Sequence, residues 1–184
     1  MGTFGYATIG VNSKLITYYD PDAGVIHEII AGSVFTIPED GIAESITVAL
    51  KTGVAHSQYA QCAIYRHSDL KKIAVTQDVF IDLTTRFQWF TFPFAAPKPT
   101  LTANTEYILV VWAEYATRTV YLAYDAGLTN QGHTQNGLVY NFWPDPLNPV
   151  HDNAKYSIYC TYSLPVVGVP RFIGDGLAGA VIIV

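Results

Sequence analysis

The chain has 184 residues, half of them hydrophobic and 14% charged, and its 15 acidic and 10 basic side chains leave a net charge of −5. This excludes a disordered polyelectrolyte, which is polar and charge-rich, and it offers no basic footprint for DNA or RNA. Tyrosine (13) far outnumbers tryptophan (3), which suits broad, half-buried β surfaces around the single sizeable core a chain of this length can bury.

Read from the N-terminus, residues 1–6 lack the basic and apolar regions of a secretory signal. Strands are predicted at residues 4–9, 15–19 and 32–37, separated by turn chemistry at Asp20-Pro21-Asp22-Ala23-Gly24 and Pro38-Glu39-Asp40-Gly41. Residues 45–50 alternate cleanly, with Ile46, Val48 and Leu50 on one face. Residues 61–65 form the next strand, and a turn at His67-Ser68-Asp69 leads to another over 73–81. Phe90, Phe92 and Phe94 share a face in 87–94, and Trp89 and Trp112 are expected in the core. Residues 107–112 are continuously apolar, as a central strand covered on both faces should be. Val120, Leu122 and Tyr124 continue the pattern, and Tyr156, Ile158, Cys160 and Tyr162 end it.

Residues 128–153 break this rhythm. Pro144, Pro146 and Pro149 forbid a central strand there, so a long irregular excursion is expected, and such excursions serve function or contact. The chain closes on residues 170–184, a possible extension strand that is apolar and uncharged from Leu177 to Val184. Such an edge closes its own sheet or adds to a neighbour's, since no Lys, Pro or bulge blunts it. No segment reaches the roughly 20 apolar residues needed to span a bilayer, so membrane insertion is not expected. The pattern is that of one all-β domain over 1–184, an antiparallel β-sandwich of jelly-roll type.

Candidate chemistry is sparse. No Gly-x-Ser-x-Gly elbow, His-Glu-x-x-His, Walker loop or Gly-x-Gly-x-x-Gly occurs, so no catalytic residue, cofactor or metal is expected and the protein is read as no enzyme. Asp20 to Gly24 lacks the later ligands of a calcium loop and reads as a turn. His133, Asp145, His151 and Asp152 either converge on a cation or satisfy the excursion's own backbone. Trp143, flanked by Asn141, Asp145, His151 and Asp152, has the make-up of a sugar site; otherwise Trp143 plugs the sandwich under its own loop. Cys62 and Cys160 share parity with core positions, either as free buried thiols or as one disulfide.

Three stretches, Gly32-Ser33-Val34-Phe35-Thr36-Ile37-Pro38-Glu39-Asp40-Gly41-Ile42-Ala43-Glu44-Ser45-Ile46-Thr47-Val48, Cys62-Ala63-Ile64-Tyr65-Arg66 and Leu101-Thr102-Ala103-Asn104-Thr105-Glu106-Tyr107-Ile108-Leu109-Val110-Val111, carry a likeness. Together they resemble jelly-roll modules, akin to non-catalytic carbohydrate-binding domains, of phage, archaeal and bacterial surface proteins. The likeness spans roughly residues 30–165. The segments 130–153 and 156–162 resemble phage and metagenomic members in particular.

The resulting expectation is a structural or surface-decorating subunit of a multimeric particle, a virion or phage capsid, decoration or fibre component. It would sit on the virion or extracellular particle surface and associate with copies of itself and other subunits. Leu177, Val181, Ile182, Ile183 and Val184 would bury in neighbouring copies, together with the Trp143 loop. The alternative is a carbohydrate-binding module of a cell-surface or extracellular assembly, its glycan held by Asn141, Trp143, Asp145, His151 and Asp152.

Overall fold

The structure is a computed structural model that describes residues 1–115 and 118–165. The predicted extension over 170–184, with Leu177, Val181, Ile182, Ile183 and Val184, lies outside the described residues.

Among the described residues the chain is all strand and turn, with no helix and hence none long and apolar enough to cross a membrane. The strands are β1 (Gly2–Gly5), β2 (Asn12–Asp20), β3 (Val25–Glu28), β4 (Ile30–Thr36), β5 (Gly41–Thr52), β6 (His56–Arg66), β7 (Lys72–Val75) and β8 (Val79–Leu83). They continue with β9 (Gln88–Pro93), β10 (Thr100–Leu101), β11 (Glu106–Ala113), β12 (Val120–Ala126), β13 (Gly132–Gln135), β14 (Val150–Asp152), β15 (Ala154–Tyr156) and β16 (Ile158–Ser163).

All pairings are antiparallel and build two sheets. The first runs β1-β16-β5-β12-β2-β3, with β9 and β10 on the free side of β5 and β15 beside β12. The second runs β14-β13-β4-β11-β6-β7, with β8 sharing the outer side of β6. Period-two alternation turns Ile46, Val48, Leu50, Phe92, Ile158 and Cys160 of the first sheet towards Ala31, Cys62, Ile64, Leu109 and Val111 of the second. Both cysteines are free and buried in this core. Burial raises the Cys62 thiol well above its ordinary range and lifts Cys160 to about 12.

Several expectations change in detail. The strand predicted over 73–81 is two strands, both on β6. They part where the Thr76 hydroxyl, 2.9 Å from the Cys62 amide, takes the hydrogen bond a ladder carbonyl would accept. Trp89 is half-buried rather than core: its parity is opposite to Phe90 and Phe92, so it meets Tyr159 edge-on at 5.4 Å outside the sandwich. Asp20 accepts the amides of Asp22 and Ala23, which makes the following segment a capped turn.

The excursion over 128–153 is not irregular throughout. It begins and ends in β13 and β14, which extend the second sheet beyond β4 with His133 opposite Gly32 and His151 opposite His133. The prolines are confined to the connection between them, and Pro149 stands just before the edge strand β14, where a missing amide is tolerated.

That connection supplies a second core. Tyr107 to Ala113 of β11 are buried on both faces, as the continuous apolar run predicted. One face meets the sandwich interior. The other belongs to a layer of Ile30, Ala63, Tyr65, Ile108, Val110 and Trp112 that Trp143 and Leu147 of the excursion cover. The sheet supplies its own lid.

Candidate functional site

The lid is held by hydrogen bonds as well as by packing. Trp143 is only 9% exposed, stands edge-on to Trp112 with ring centroids 5.1 Å apart, and donates its indole N–H to Gln61 Oε1 at 2.8 Å. Its carbonyl accepts from Lys72 Nζ (3.1 Å), and the Pro144 carbonyl accepts from the Tyr65 hydroxyl (2.8 Å). Asp145 Oδ1 accepts the Lys72 amide (3.0 Å), and the Leu147 amide reaches the Leu70 carbonyl (2.9 Å). Glu28 accepts the amides of both Tyr115 and Tyr140, each at 2.9 Å, and Tyr140 donates to Asp78 at 2.7 Å. Burial raises the Glu28 carboxyl above its ordinary range, and the two amides partly oppose that rise. A loop without ladder partners thus satisfies its backbone through side chains of the sheet below.

This arrangement assigns structural work to Trp143, Asp145 and Asp152 among the sequence-predicted residues. Trp143 and Asp145 strap the lid, so neither face of the indole is open to a ligand. Asn141 is exposed in the left-handed region (φ 72°), at the lid's tip. Asp152 accepts from the Tyr156 hydroxyl (2.9 Å) and the Ala154 amide (3.1 Å) and lies 3.7 Å from Lys14. His151 is exposed, and no hydrogen bond among the described residues holds its ring. The five residues do not gather into one site, because Trp143 sits over β6 and β11 while His151 stands on the edge strand β14.

A concave feature of the surface lies at His151. An open groove of about 590 Å³ is lined by Val34, Phe35 and Thr36 of β4 and its end, by Glu106 and His67, by residues 128–131 and by His151. Strand alternation brings Glu106, His133 and His151 to the same outer face of the second sheet as Ile108 and Val110. His67 follows the last residue of β6, and its Nδ1 lies 2.8 Å from Glu106 Oε2. It then reaches His133, their rings perpendicular with centroids 5.5 Å apart. His133 in turn meets His151 at 4.6 Å, again edge to face.

His133 is the buried member, 1% exposed. Its Nδ1 lies 3.2 Å from the Gln131 carbonyl, which can only accept, so Nδ1 carries the proton and Nε2 is a bare lone pair. That Nε2 is fully buried and finds no hydrogen-bond partner among the described residues. Burial lowers its pKa to about 4; the Gln131 carbonyl opposes this, and His151 and His67 add to it. The ring is therefore neutral at pH 7.

As the side chains stand, no three His, Cys, Asp or Glu groups among the described residues are placed to hold a metal ion. Compared with known proteins, the chain matches no family model, and no curated protein is significantly similar to it.

Sequence reasoning picked out His133 and His151 from the excursion but not His67 or Glu106. These stand 39 residues apart in the chain, in a turn and at a strand start, and only the β6–β11 register joins them.

Proposed function

We propose that the chain is a non-enzymatic building or surface-decorating subunit of a multimeric particle, built on a jelly-roll sandwich. The observation that carries this reading is the excursion's outer side. Leu128, Val139, Phe142 and Val150 are 70–76% exposed, although the same segment buries Trp143 and Leu147 at home. Of the Trp143 loop, only the outward residues are free to meet neighbouring copies, because Trp143 and Leu147 are buried at home. Elsewhere Tyr59 and Phe80 stack edge-on at 5.0 Å while both remain exposed. Large apolar side chains in water at low overall charge favour contact with another surface. Burial at about 25 cal/mol per Å² would drive such contact. The resemblance to phage and surface-protein modules makes a virion or extracellular particle the proposed setting.

Light scattering on the purified full chain tests this, beside a chain lacking residues 177–184. A mass that is a multiple of 20.2 kDa, reduced by the truncation or by polar substitution of Val139 and Phe142, supports the reading. A full chain that stays at 20.2 kDa at every concentration overturns it.

The groove favours a second reading, a carbohydrate-binding module. Its size suits a small ligand, and Thr36, Glu106, Asn130, Gln131 and His151 supply groups for hydroxyls. On this reading the glycan meets the groove and not the covered face of Trp143. Glycan-array binding abolished by His151→Ala and retained by Asn141→Ala would favour it over the first.

A further inference from the structure

We propose that His67, His133 and His151 form a binding site for one divalent transition-metal ion of the zinc, cobalt or nickel class, at the base of the groove. Such a site is independent of the particle-subunit reading.

A buried polar atom without a partner is rare and calls for a physical explanation. His133 Nε2 is such an atom, and its proton is on the opposite nitrogen, bound to the Gln131 carbonyl. Only an electron-pair acceptor satisfies it: an O–H or N–H donor, or a metal cation. The neighbouring rings make the second choice specific. In its neutral form His67, with Nδ1–H directed at the Glu106 carboxylate, holds a lone pair on Nε2 as well. A carbonyl or carboxylate behind one ring nitrogen, leaving the other free, is the outer-shell pattern that fixes the tautomer of metal-binding histidines. His151 is exposed, and no hydrogen bond among the described residues holds its ring, so it is free to turn.

The spacing agrees. With metal–nitrogen bonds of about 2.1 Å, two imidazoles at angles from a right angle to 120° place their ring centroids about 4.5 to 5.5 Å apart. The observed separations from His133 are 4.6 Å to His151 and 5.5 Å to His67, with the rings perpendicular in both pairs. The three sets of donor atoms do not yet converge, so the proposal requires His151 and His67 to turn their Nε2 atoms towards that of His133. Imidazole nitrogens select this class of ion over magnesium or calcium, which take oxygen ligands.

The test is titration of the tag-free, chelator-treated full chain with Co²⁺, followed by its visible absorption and by calorimetry. The expected result is one ion per chain with ligand-field bands. Affinity should fall by about tenfold or more in His151→Ala and in His67→Ala, and remain unchanged in His56→Ala. His151→Ala is the decisive variant, because an exposed residue can be removed without loss of the fold, as its unchanged melting temperature would show. Absence of bands, or binding equal in His151→Ala and the unsubstituted chain, overturns the proposal and leaves a hydrogen-bond donor as the partner of His133.

Discussion

Replacing Trp143 by alanine tests whether the excursion is a lid on the second sheet. The indole is almost wholly buried between Trp112 and Tyr65, and its N–H is bound to the buried Gln61 side chain. Truncating a buried aromatic of this size costs about 3 to 5 kcal/mol. Orphaning Gln61 Oε1 places the variant in the upper part of that range, unless water enters to replace the indole. For a domain of this length each kcal/mol moves the melting temperature by about 2 to 4 °C, so a drop of roughly 6 to 20 °C is expected. Phe142→Ala, one residue away but facing solvent, should stay within about 0.5 kcal/mol of the parent. Thermal unfolding by circular dichroism, with near-ultraviolet spectra to follow the tryptophans, reads both. A Trp143→Ala variant that melts within about 2 °C of the parent would refute the lid.

Other consequences are as direct. His133 stays neutral when folded, with a pKa of about 4 against 6.5 unfolded, so between these values the unfolded chain binds the extra proton. Its contribution, about 3 kcal/mol, is complete above pH 6.5 and lost as pH falls to 4; urea unfolding of the metal-free chain should show this slope and His133→Asn should flatten it. Gly32→Ala would place a Cβ 1.8 Å from the Leu109 carbonyl oxygen of the adjacent strand, a backbone clash that should destabilise by about 3 kcal/mol or prevent soluble expression. Tyr140→Phe removes the bond to Asp78 and should cost about 1 kcal/mol by the same unfolding assay. Cys62 and Cys160, buried with raised pKa values, should resist a thiol reagent in the native protein and react only on unfolding; rapid native labelling would contradict their placement.

The strands of the sandwich were legible because a half-buried strand prints its two faces on alternate residues, as in Ile46, Val48 and Leu50 or in Ile158, Cys160 and Tyr162. The continuous run of β11 announced two covered faces as well. What covers the outer face was not legible, because Trp143 finds Gln61 across 82 residues of sequence and no local pattern encodes that meeting. Short strands such as β3, β13 and β14 were missed for a related reason: three or four residues carry too little periodicity, and their pairing is decided by the strand beside them. Of the predicted site, His151 stands in the groove, while Trp143, Asp145 and Asp152 carry polar atoms that the fold itself consumes. A tryptophan among polar residues signals a ligand platform and a loop anchor equally well. Only the register of the strands below separates the two.

Sedimentation equilibrium of the parent beside Val139→Ser with Phe142→Ser asks whether the exposed side chains of the excursion bury against a second copy, with melting temperatures measured in parallel. The account predicts that the parent sediments as a multiple of 20.2 kDa and that the double variant, equally stable, shifts towards the single chain. Equal masses for the two proteins, at matched stability, would contradict it.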